Sequence, residues 1–185
     1  MQITGNRKIN AKRSTVFAAL NDVKILQEAI PGCDEVSKES YNEFTGSVVA
    51  KVGPIKSKFV GRASLENVLP PESYTIVGEG KGGPAGNVKV TAKVELLEEE
   101  SETVISYEVD AKITGKLAQL GGPIVRKATE KLSEQFFSNL QEILAKNPNA
   151  INEPGEVESP DKTGNKRLLA IALLAILSYV AYLIF

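Results

Sequence analysis

The hydrophobic positions of the chain follow three different patterns, and these divide it into three parts. Between 41 and 113 apolar and polar residues alternate, between about 124 and 145 apolar residues recur at helical spacing, and from 168 to the last residue they are uninterrupted. We therefore expect one globular domain over 1–146, a flexible linker over 147–167 and a membrane anchor over 168–185.

The last eighteen residues, LLAIALLAILSYVAYLIF, contain no charge, Gly or Pro. As a helix rising about 1.5 Å per residue this segment is roughly 27 Å long, close to the hydrocarbon thickness of a bilayer. A helix packed on a soluble domain would keep a polar stripe, whereas the polar atoms here are three hydroxyl groups. The segment predicts one transmembrane helix, with anchor residues that include Leu168, Leu173, Tyr179 and Phe185.

Lys162, Lys166 and Arg167 stand directly before this apolar segment. The positive-inside bias predicts a single-pass protein of the cell membrane with its domain on the cytoplasmic side. The opening MQITGNRKIN has no apolar run of signal-peptide type, which favours the same side. Residues 147–167 contain three prolines and two glycines. As a coil they would span roughly 25 Å, so we expect a tether that lets the domain dock on the membrane or leave it.

The alternating region is interrupted at 53–54, 70–71, 81–84 and 98–102, which delimits five or six antiparallel strands. Successive strand residues point to opposite faces, so the alternation assigns an inner face. Its members are Phe44, Gly46, Val48, Ala50, Ile55, Ser57, Phe59, Gly61, Ala63, Leu65, Tyr74, Ile76, Gly78, Gly80, Val88, Val90, Ala92, Val94, Leu96, Ile105, Tyr107, Val109, Ala111 and Ile113.

Helices are expected on either side of this sheet. A strand over Gln2 to Ile9 precedes a helix capped by Asn10, and Asp22 caps a second helix that ends at Pro31-Gly32. The long helix, from about Ile124 to Ala145, carries an apolar stripe and should lie across the concave sheet. The stripe consists of Ile124, Ala128, Leu132, Phe136, Leu140, Ile143 and Leu144. This order predicts a two-layer α+β fold.

Charge and composition exclude several classes of function. The chain has 22 basic and 23 acidic residues; three basic and four acidic residues fall in 147–167, which leaves 19 of each for the domain. A neutral domain gives no electrostatic reason to expect nucleic-acid binding. The chain has no His, the commonest general base and transition-metal ligand, and its one Cys excludes a disulfide framework or a site of several thiolates. No metal site is predicted.

The inner face combines large apolar residues with many small ones: Gly46, Ala50, Ser57, Gly61, Ala63, Gly78, Gly80, Ala92 and Ala111. Small residues opposite a helix indicate either a closely approaching helix or a space left for a ligand, and the pattern leaves both open. No Asp, Glu, Lys or Arg stands at the inner positions of these strands. A ligand there would be apolar, held by hydroxyls such as those of Tyr107, Tyr74 or Ser57.

No catalytic constellation is evident in the sequence. Asp34 and Glu35 follow Cys33 and oppose formation of a thiolate, so a buried thiol is expected. The string GEGKGGPAG at 78–86 lacks the spacing and the Lys-Ser/Thr end of a phosphate loop and lies between strands. We interpret it as a hairpin connection and expect no enzyme activity.

Several strings, taken in order, resemble the CoxG family of carbon monoxide dehydrogenase subunits, within the START-like (SRPBCC) helix-grip superfamily. They are Val16 to Asp22, IPGC at 30–33, KVGPI at 51–55, FVG at 59–61, Thr103 to Tyr107, and GKLAQLG at 115–121 before Phe136-Phe137. The resemblance implies a seven-stranded sheet that grips the long helix around a hydrophobic cavity. It also implies an accessory protein, without redox catalysis of its own, that recruits a molybdenum hydroxylase of the carbon monoxide dehydrogenase type to the membrane.

We therefore hypothesise that the cavity binds a lipophilic molecule, first a respiratory quinone such as menaquinone or ubiquinone, with no covalent cofactor. Tyr107 would donate to a quinone carbonyl. The other predicted contacts are Phe59, Ala63, Ile76, Val90, Ile105, Leu120, Ile124 and Phe136. The alternatives are a plain anchor without a ligand, a START-like lipid carrier for another partner, and an enzyme of the cyclase or hydratase kind.

Overall fold

The computed structural model describes residues 1–40 and 42–146. The predicted linker over 147–167 and the predicted anchor over 168–185 lie outside the described residues. Within the described part, no helix is both long and apolar enough to cross a membrane.

The described chain folds into seven strands and three α-helices, with a short 3-10 turn at Gly83–Ala85 and another at Ala118–Leu120. In chain order the elements are β1 (Gln2–Ile9), α1 (Arg13–Ala19), α2 (Val23–Ala29), β2 (Cys33–Lys38), β3 (Glu43–Val52), β4 (Ile55–Leu69), β5 (Ser73–Lys81), β6 (Asn87–Glu99), β7 (Glu102–Ile113) and α3 (Gly122–Lys146).

The seven strands form one antiparallel sheet in the order β1-β7-β6-β5-β4-β3-β2. From β2 to β7 each strand pairs with the next along the chain, while α1 and α2 carry the chain from β1 at one edge to β2 at the other. The predicted α+β class and the seven strands implied by the resemblance are confirmed. Strand β2, which begins at Cys33, was not predicted, because a six-residue strand with one fully buried side chain has almost no alternation to detect.

The predicted inner face of the sheet is confirmed by burial and register. Phe44, Ile76, Ala92 and Val109 are at most 1% exposed. The strand registers also align inner residues with inner residues, as in the row that pairs Ile76 with Ala92 and Ala92 with Val109. The core lies between this face and the three helices, and α1 closes it where the Phe17 ring packs edge-on against Tyr74 at 5.9 Å.

One of the two predicted helix caps is confirmed. The Asp22 carboxylate accepts hydrogen bonds from the backbone N–H groups of Lys24 and Ile25, at 2.7 and 3.1 Å, at the start of α2. The predicted cap at Asn10 is wrong, because α1 begins at Arg13 behind Lys12, which makes no side-chain capping bond. The backbone N–H of Asn10 instead donates to Oε1 of Gln141 at 2.8 Å and ties α3 to the end of β1.

The long helix is present, but its buried stripe differs from the predicted one at the N-terminal end. Ile124 is 44% exposed, and the buried residues are Val125, Thr129, Leu132, Ser133, Phe136, Leu140 and Leu144. Two of these are polar, so a pattern that counts only apolar residues misplaces the stripe. Thr129 is satisfied because its hydroxyl donates to the Val125 carbonyl at 2.9 Å, and Ser133 has a partner on the sheet.

Candidate ligand-binding site

The centre of the inner sheet face is a floor without side chains, formed by Gly46, Gly61, Gly78 and Gly80, which we call the glycine floor. Gly46 pairs with Gly61 and Gly61 with Gly80 across three adjacent strands. The three atoms nearest to a Cβ built on Gly61 are backbone atoms of the neighbouring strand. Gly46, Gly61 and Gly78 are partly exposed although they lie in interior strands.

Helix α3 does not approach all strands of the sheet equally closely. Its closest backbone approaches are to α2, β1, β3 and the 3-10 turn that precedes it, while the central strands β4, β5 and β6 are approached less closely. Small residues that served close helix packing would lie directly under the helix axis. Of the two interpretations that the pattern left open, a space between the sheet and the helix stays a prediction.

Most of the apolar site residues predicted from the sequence lie on the inner side of the sheet or helix. Phe59, Ala63, Ile76, Val90, Ile105 and Phe136 are buried. Ala63 and Val90 flank Gly78 in one cross-strand row, and Ile76 lies in the next row. Ile105 lies farther away, on β7 opposite Arg7 of the edge strand. Of these predicted residues, Ala63 and Val90 are the ones paired directly with a glycine of the floor.

Phe59 and the remaining apolar candidates, Leu120 and Ile124, lie at the end of the sheet where α3 begins. The Phe59 ring covers Gly82 so closely that a Cβ on that glycine would overlap it. Ile124 lies against Gly53 of the β3–β4 turn, and Leu120 is only partly buried. The structure adds Leu117, which is completely buried where its N–H donates to the Ala85 carbonyl at 3.1 Å. The sequence signal for Leu117 was weak, because two leucines in a short segment between glycines are too few to establish a period.

The three candidate hydroxyl groups of the inner face differ in their partners. The Tyr107 and Ser133 hydroxyls lie 3.3 Å apart, and Ser57 donates to the Gly82 carbonyl at 3.0 Å. The hydroxyl of Tyr74 is buried and has no hydrogen-bond partner within residues 1–40 and 42–146. Burial raises the pKa of Tyr74 well above its ordinary value, so the group stays protonated and can donate. Tyr74 is therefore the hydroxyl with unused hydrogen-bonding capacity.

Two basic residues lie on the inner face of the edge strands β1 and β2, outside the strands for which an uncharged inner face was predicted. Arg7 aligns with inner residue Ile105 and its guanidinium is 5.9 Å from the Phe137 ring centroid, while Lys38 aligns with Phe44 at the opposite edge. Partial burial lowers the pKa of Lys38 to about 8. Both residues are on β1 and β2, outside the alternating region from which the face was assigned. The centre of the face is apolar, and the charges stand at its two edges.

The environment of Cys33 does not favour the thiolate form that nucleophilic chemistry requires. Burial, and then the charge of Asp34, raise the pKa of Cys33 to about 11, so the thiol is protonated near neutral pH. Asp34 itself pairs with Lys58, which keeps the pKa of that carboxyl low. In the part of the chain that the structure describes, no group of three or more Cys, Asp or Glu residues is arranged to hold a metal ion.

A family model described as CoxG, a carbon monoxide dehydrogenase subunit, matches residues 5–145 of the chain. No curated protein sequence matches the chain significantly.

Solved structures with the same fold include a conserved protein from Geobacillus kaustophilus, 23% identical, with a TM-score of 0.75 over 80% of this chain and 97% of that one. A START superfamily protein from Mycobacterium smegmatis is 11% identical, with a TM-score of 0.60 over 78% and 97% of the two chains. The Zhui aromatase/cyclase from Streptomyces sp. R1128 is 12% identical, with a TM-score of 0.59 over 82% and 98%. At these identities the likeness establishes the START-like fold alone.

Proposed function

The chain belongs to the CoxG family of carbon monoxide dehydrogenase subunits, and on this basis we propose that it is the membrane-tethered accessory protein of a molybdenum hydroxylase of the carbon monoxide dehydrogenase type. In this proposal the START-like domain binds a respiratory quinone, menaquinone or ubiquinone, between the sheet and α3. It thereby links its partner enzyme to the electron transport chain. The observation that best supports quinone binding is the glycine floor.

The chemistry of the floor and its surroundings suits a quinone head group. A quinone is a flat apolar ring with two carbonyl acceptors, and glycines at the centre of a sheet leave a flat apolar surface of matching shape. Ala63 and Val90 border this surface. A buried hydroxyl without a partner costs free energy, and a carbonyl acceptor would remove that cost. Tyr74 thus supports a carbonyl ligand more strongly than Tyr107, whose hydroxyl already faces Ser133.

The proposed role is binding and delivery rather than catalysis. An enzyme of the cyclase or hydratase kind would need acid and base groups that converge on the ligand. The aromatase/cyclase among the solved structures shares the fold, but the floor described above is bordered by apolar side chains, and Arg7 and Lys38 stand at the sheet edges. The oxidation itself would remain with the partner enzyme.

The tether is the second part of the proposal and rests on sequence alone. The apolar segment 168–185 would anchor the protein in the cell membrane with its domain on the cytoplasmic side, and residues 147–167 would connect the two. A quinone resides in the bilayer and the partner enzyme is recruited from solution. A tethered carrier would therefore hold its domain within reach of both.

Native mass spectrometry, combined with lipid extraction, of the full chain purified in mild detergent from a quinone-producing cell tests the ligand part. We expect one quinone per protein, and we expect an excess of an unrelated lipid not to displace it. A domain that is folded yet carries no quinone, or exchanges it freely for any lipid, would leave a plain anchor as the function. A stoichiometric lipid of another kind would indicate a carrier for another partner.

A further inference from the structure

The charges of this neutral domain are separated between its two ends. The β3–β4 turn, the β5–β6 turn and the connection from β7 to α3 lie at one end, which we call the basic end. Segments 51–58, 81–89 and 112–129 contain no Asp or Glu. Their exposed basic residues are Lys51, Lys56, Lys58, Lys81, Lys89, Lys112, Lys116, Arg126 and Lys127.

Direct contacts join the three segments into one surface. The connection before α3 touches the β5–β6 turn where the Thr114 N–H donates to the Asn87 carbonyl at 2.9 Å, and Gly86 and Gly115 lie against each other. The start of α3 touches the β3–β4 turn, where Ile124 lies against Gly53. The nine basic residues therefore surround one end of the sheet and helix.

At the opposite end of the sheet, two basic residues are paired with carboxylates, although Lys12 there has no ion pair among the described residues. Lys8 pairs with Glu99 and Glu102, and Arg13 pairs with Glu72 and Glu98. At the basic end, Lys58 pairs with Asp34. Within residues 1–40 and 42–146, the other eight basic residues of that end form no ion pair. Eight basic residues without an ion pair thus stand together at the end where α3 begins.

Strand register makes this arrangement unfavourable for the isolated domain. On the outer face of the sheet, Lys51 stands directly opposite Lys56. Lys89 stands between Lys112 on β7 and Glu79 on β5, and the Glu79 carboxylate is already paired with Arg62. Like charges at directly opposite positions repel and destabilise a sheet. A surface of negative charge placed against this end would relieve both repulsions.

The same end also exposes large apolar side chains. Ile124 is 44% exposed at the start of α3, and Val60, beside Lys58 on the outer face of β4, is 57% exposed. Basic residues that surround a few exposed apolar side chains form the pattern of a surface that lies in the headgroup layer of a membrane. The N-terminus of the 25-residue α3 adds the positive end of its helix dipole.

From this charge separation we infer that the basic end of the domain docks on a membrane surface rich in anionic lipid headgroups. A protein partner fits less well, because Lys is depleted from protein interfaces and eight of these nine residues are Lys. Diffuse lipid headgroups accept many flexible lysines without specific geometry. The inference needs neither a bound quinone nor the anchor segment, but it extends the proposed function by placing the end that carries Phe59 and Ile124 at the lipid.

The predicted tether is compatible with this orientation. Helix α3 is about 37 Å long, so the chain leaves the domain at the end away from the basic surface. The linker predicted over 147–167 spans up to about 70 Å when extended. The basic end of an anchored domain can therefore turn towards the same membrane.

Residues 1–146 can be tested without the tail. The hydrophobic core is contained within them, and the protein from Geobacillus kaustophilus, of which the match covers 97%, has been solved with little beyond this domain.

The experiment is co-sedimentation of residues 1–146 with phosphatidylcholine vesicles that contain either no phosphatidylglycerol or about 30 mol% of it. We expect binding to the anionic vesicles at about 0.05 M salt, at least tenfold weaker binding at about 0.5 M salt, and none to neutral vesicles. Each basic residue near an anionic surface increases the partition coefficient of a protein between solution and membrane about fivefold. The double variant Lys56→Glu/Lys112→Glu should therefore bind at least tenfold more weakly.

In Lys56→Glu/Lys112→Glu each new Glu faces a lysine across the sheet, so the melting temperature should stay unchanged or rise. A loss of vesicle binding in this variant would therefore not be caused by unfolding. The matched control is Lys12→Glu/Lys24→Glu, which changes the net charge equally at the starts of α1 and α2 and should keep binding. Equal binding to neutral vesicles, equal loss in both variants, or no binding at low salt would each overturn the inference. The quinone result above would stand in all three cases.

Discussion

The hydroxyl oxygens of Tyr107 on β7 and Ser133 on α3 lie 3.3 Å apart and join the sheet to the helix that it grips. The Tyr107 ring also stacks on Phe137 of α3, with centroids 6.1 Å apart and planes inclined by 18°. Tyr107 thus has a structural role in holding α3 near β1. The Tyr74 ring packs against Phe17 of α1, and its buried hydroxyl, which has no partner among the described residues, has no comparable role in the fold.

This contrast predicts opposite effects of two identical substitutions. Tyr107→Phe leaves the Ser133 hydroxyl without its partner and should lower the free energy of unfolding by about 1 kcal/mol. Tyr74→Phe removes an unsatisfied buried hydroxyl and should leave the empty domain equally or more stable. Quinone occupancy should fall in Tyr74→Phe and persist in Tyr107→Phe. Urea unfolding and native mass spectrometry on both variants measure the two effects, and the reverse ranking of occupancies would return the donor role to Tyr107.

Gly5 makes room for the Tyr107 side chain. A Cβ at Gly5 would lie far inside contact distance of the Tyr107 ring and hydroxyl. Gly5→Ala should therefore displace the ring and destabilise the domain by about 1–3 kcal/mol. Adding Gly5→Ala to Tyr107→Ala should cost much less, since the clash is then absent. A double-mutant cycle by urea unfolding measures the coupling, and additive costs would show that the ring does not lie across Gly5.

The two helix starts predicted from the sequence provide another test. Asp22→Ala removes two hydrogen bonds from the start of α2 and should cost about 1 kcal/mol. Asn10→Ala should stay within about 0.5 kcal/mol, because the bond of Asn10 to Gln141 uses its backbone N–H. Thermal unfolding of both variants measures these two losses of stability. Equal losses would indicate that Asn10 caps α1 after all.

The difference between Asp22 and Asn10 illustrates what the sequence could predict. Cap, turn and alternation signals act locally, and where they were strong, as at Asp22 and in the inner face of β3 to β7, the prediction was confirmed. The errors arose where a contact with a residue distant in sequence determines whether a side chain is buried or hydrogen-bonded. Ser133 can be buried on α3 because Tyr107 meets it from the sheet, which no local pattern reveals. The partner of Tyr107, and the absence of one for Tyr74 among the described residues, likewise depend on tertiary packing.

The distribution of charge over the domain also depends on tertiary structure and could not be predicted from the sequence. The domain total of 19 basic and 19 acidic residues is neutral, and a neutral total gives no electrostatic reason to expect a nucleic-acid partner. The total cannot show that segments 51–58, 81–89 and 112–129 meet at one end. Only strand order and register bring them together.

The pKa of Cys33 predicts a dependence of stability on alkaline pH. The folded thiol has a pKa of about 11, above its ordinary value of 9.0, chiefly because of burial. The folded state therefore keeps a proton that the unfolded state loses, so the thiol's contribution to stability is complete below about pH 9 and disappears as the pH rises towards 11. The stability difference between the original chain and Cys33→Ala should shrink across that range. The difference in melting temperature, measured at several pH values, reports this contribution, and a constant difference would mean that the thiol titrates normally.

Two substitutions on the inner face of the sheet test whether the space above the glycine floor is open. Ala63→Leu adds three carbons beside Gly78, where the proposed function places an open space, whereas Ala92→Leu adds the same atoms between Ile76 and Val109 in the core. Overpacking a filled core costs about 1–3 kcal/mol. We therefore expect Ala92→Leu to destabilise the domain by that amount, and Ala63→Leu to cost less than about 1 kcal/mol while it lowers quinone occupancy. Urea unfolding and native mass spectrometry decide between the outcomes. If both variants are destabilised equally, the domain's own side chains fill the space above the floor, and the plain-anchor function becomes the better explanation of the fold.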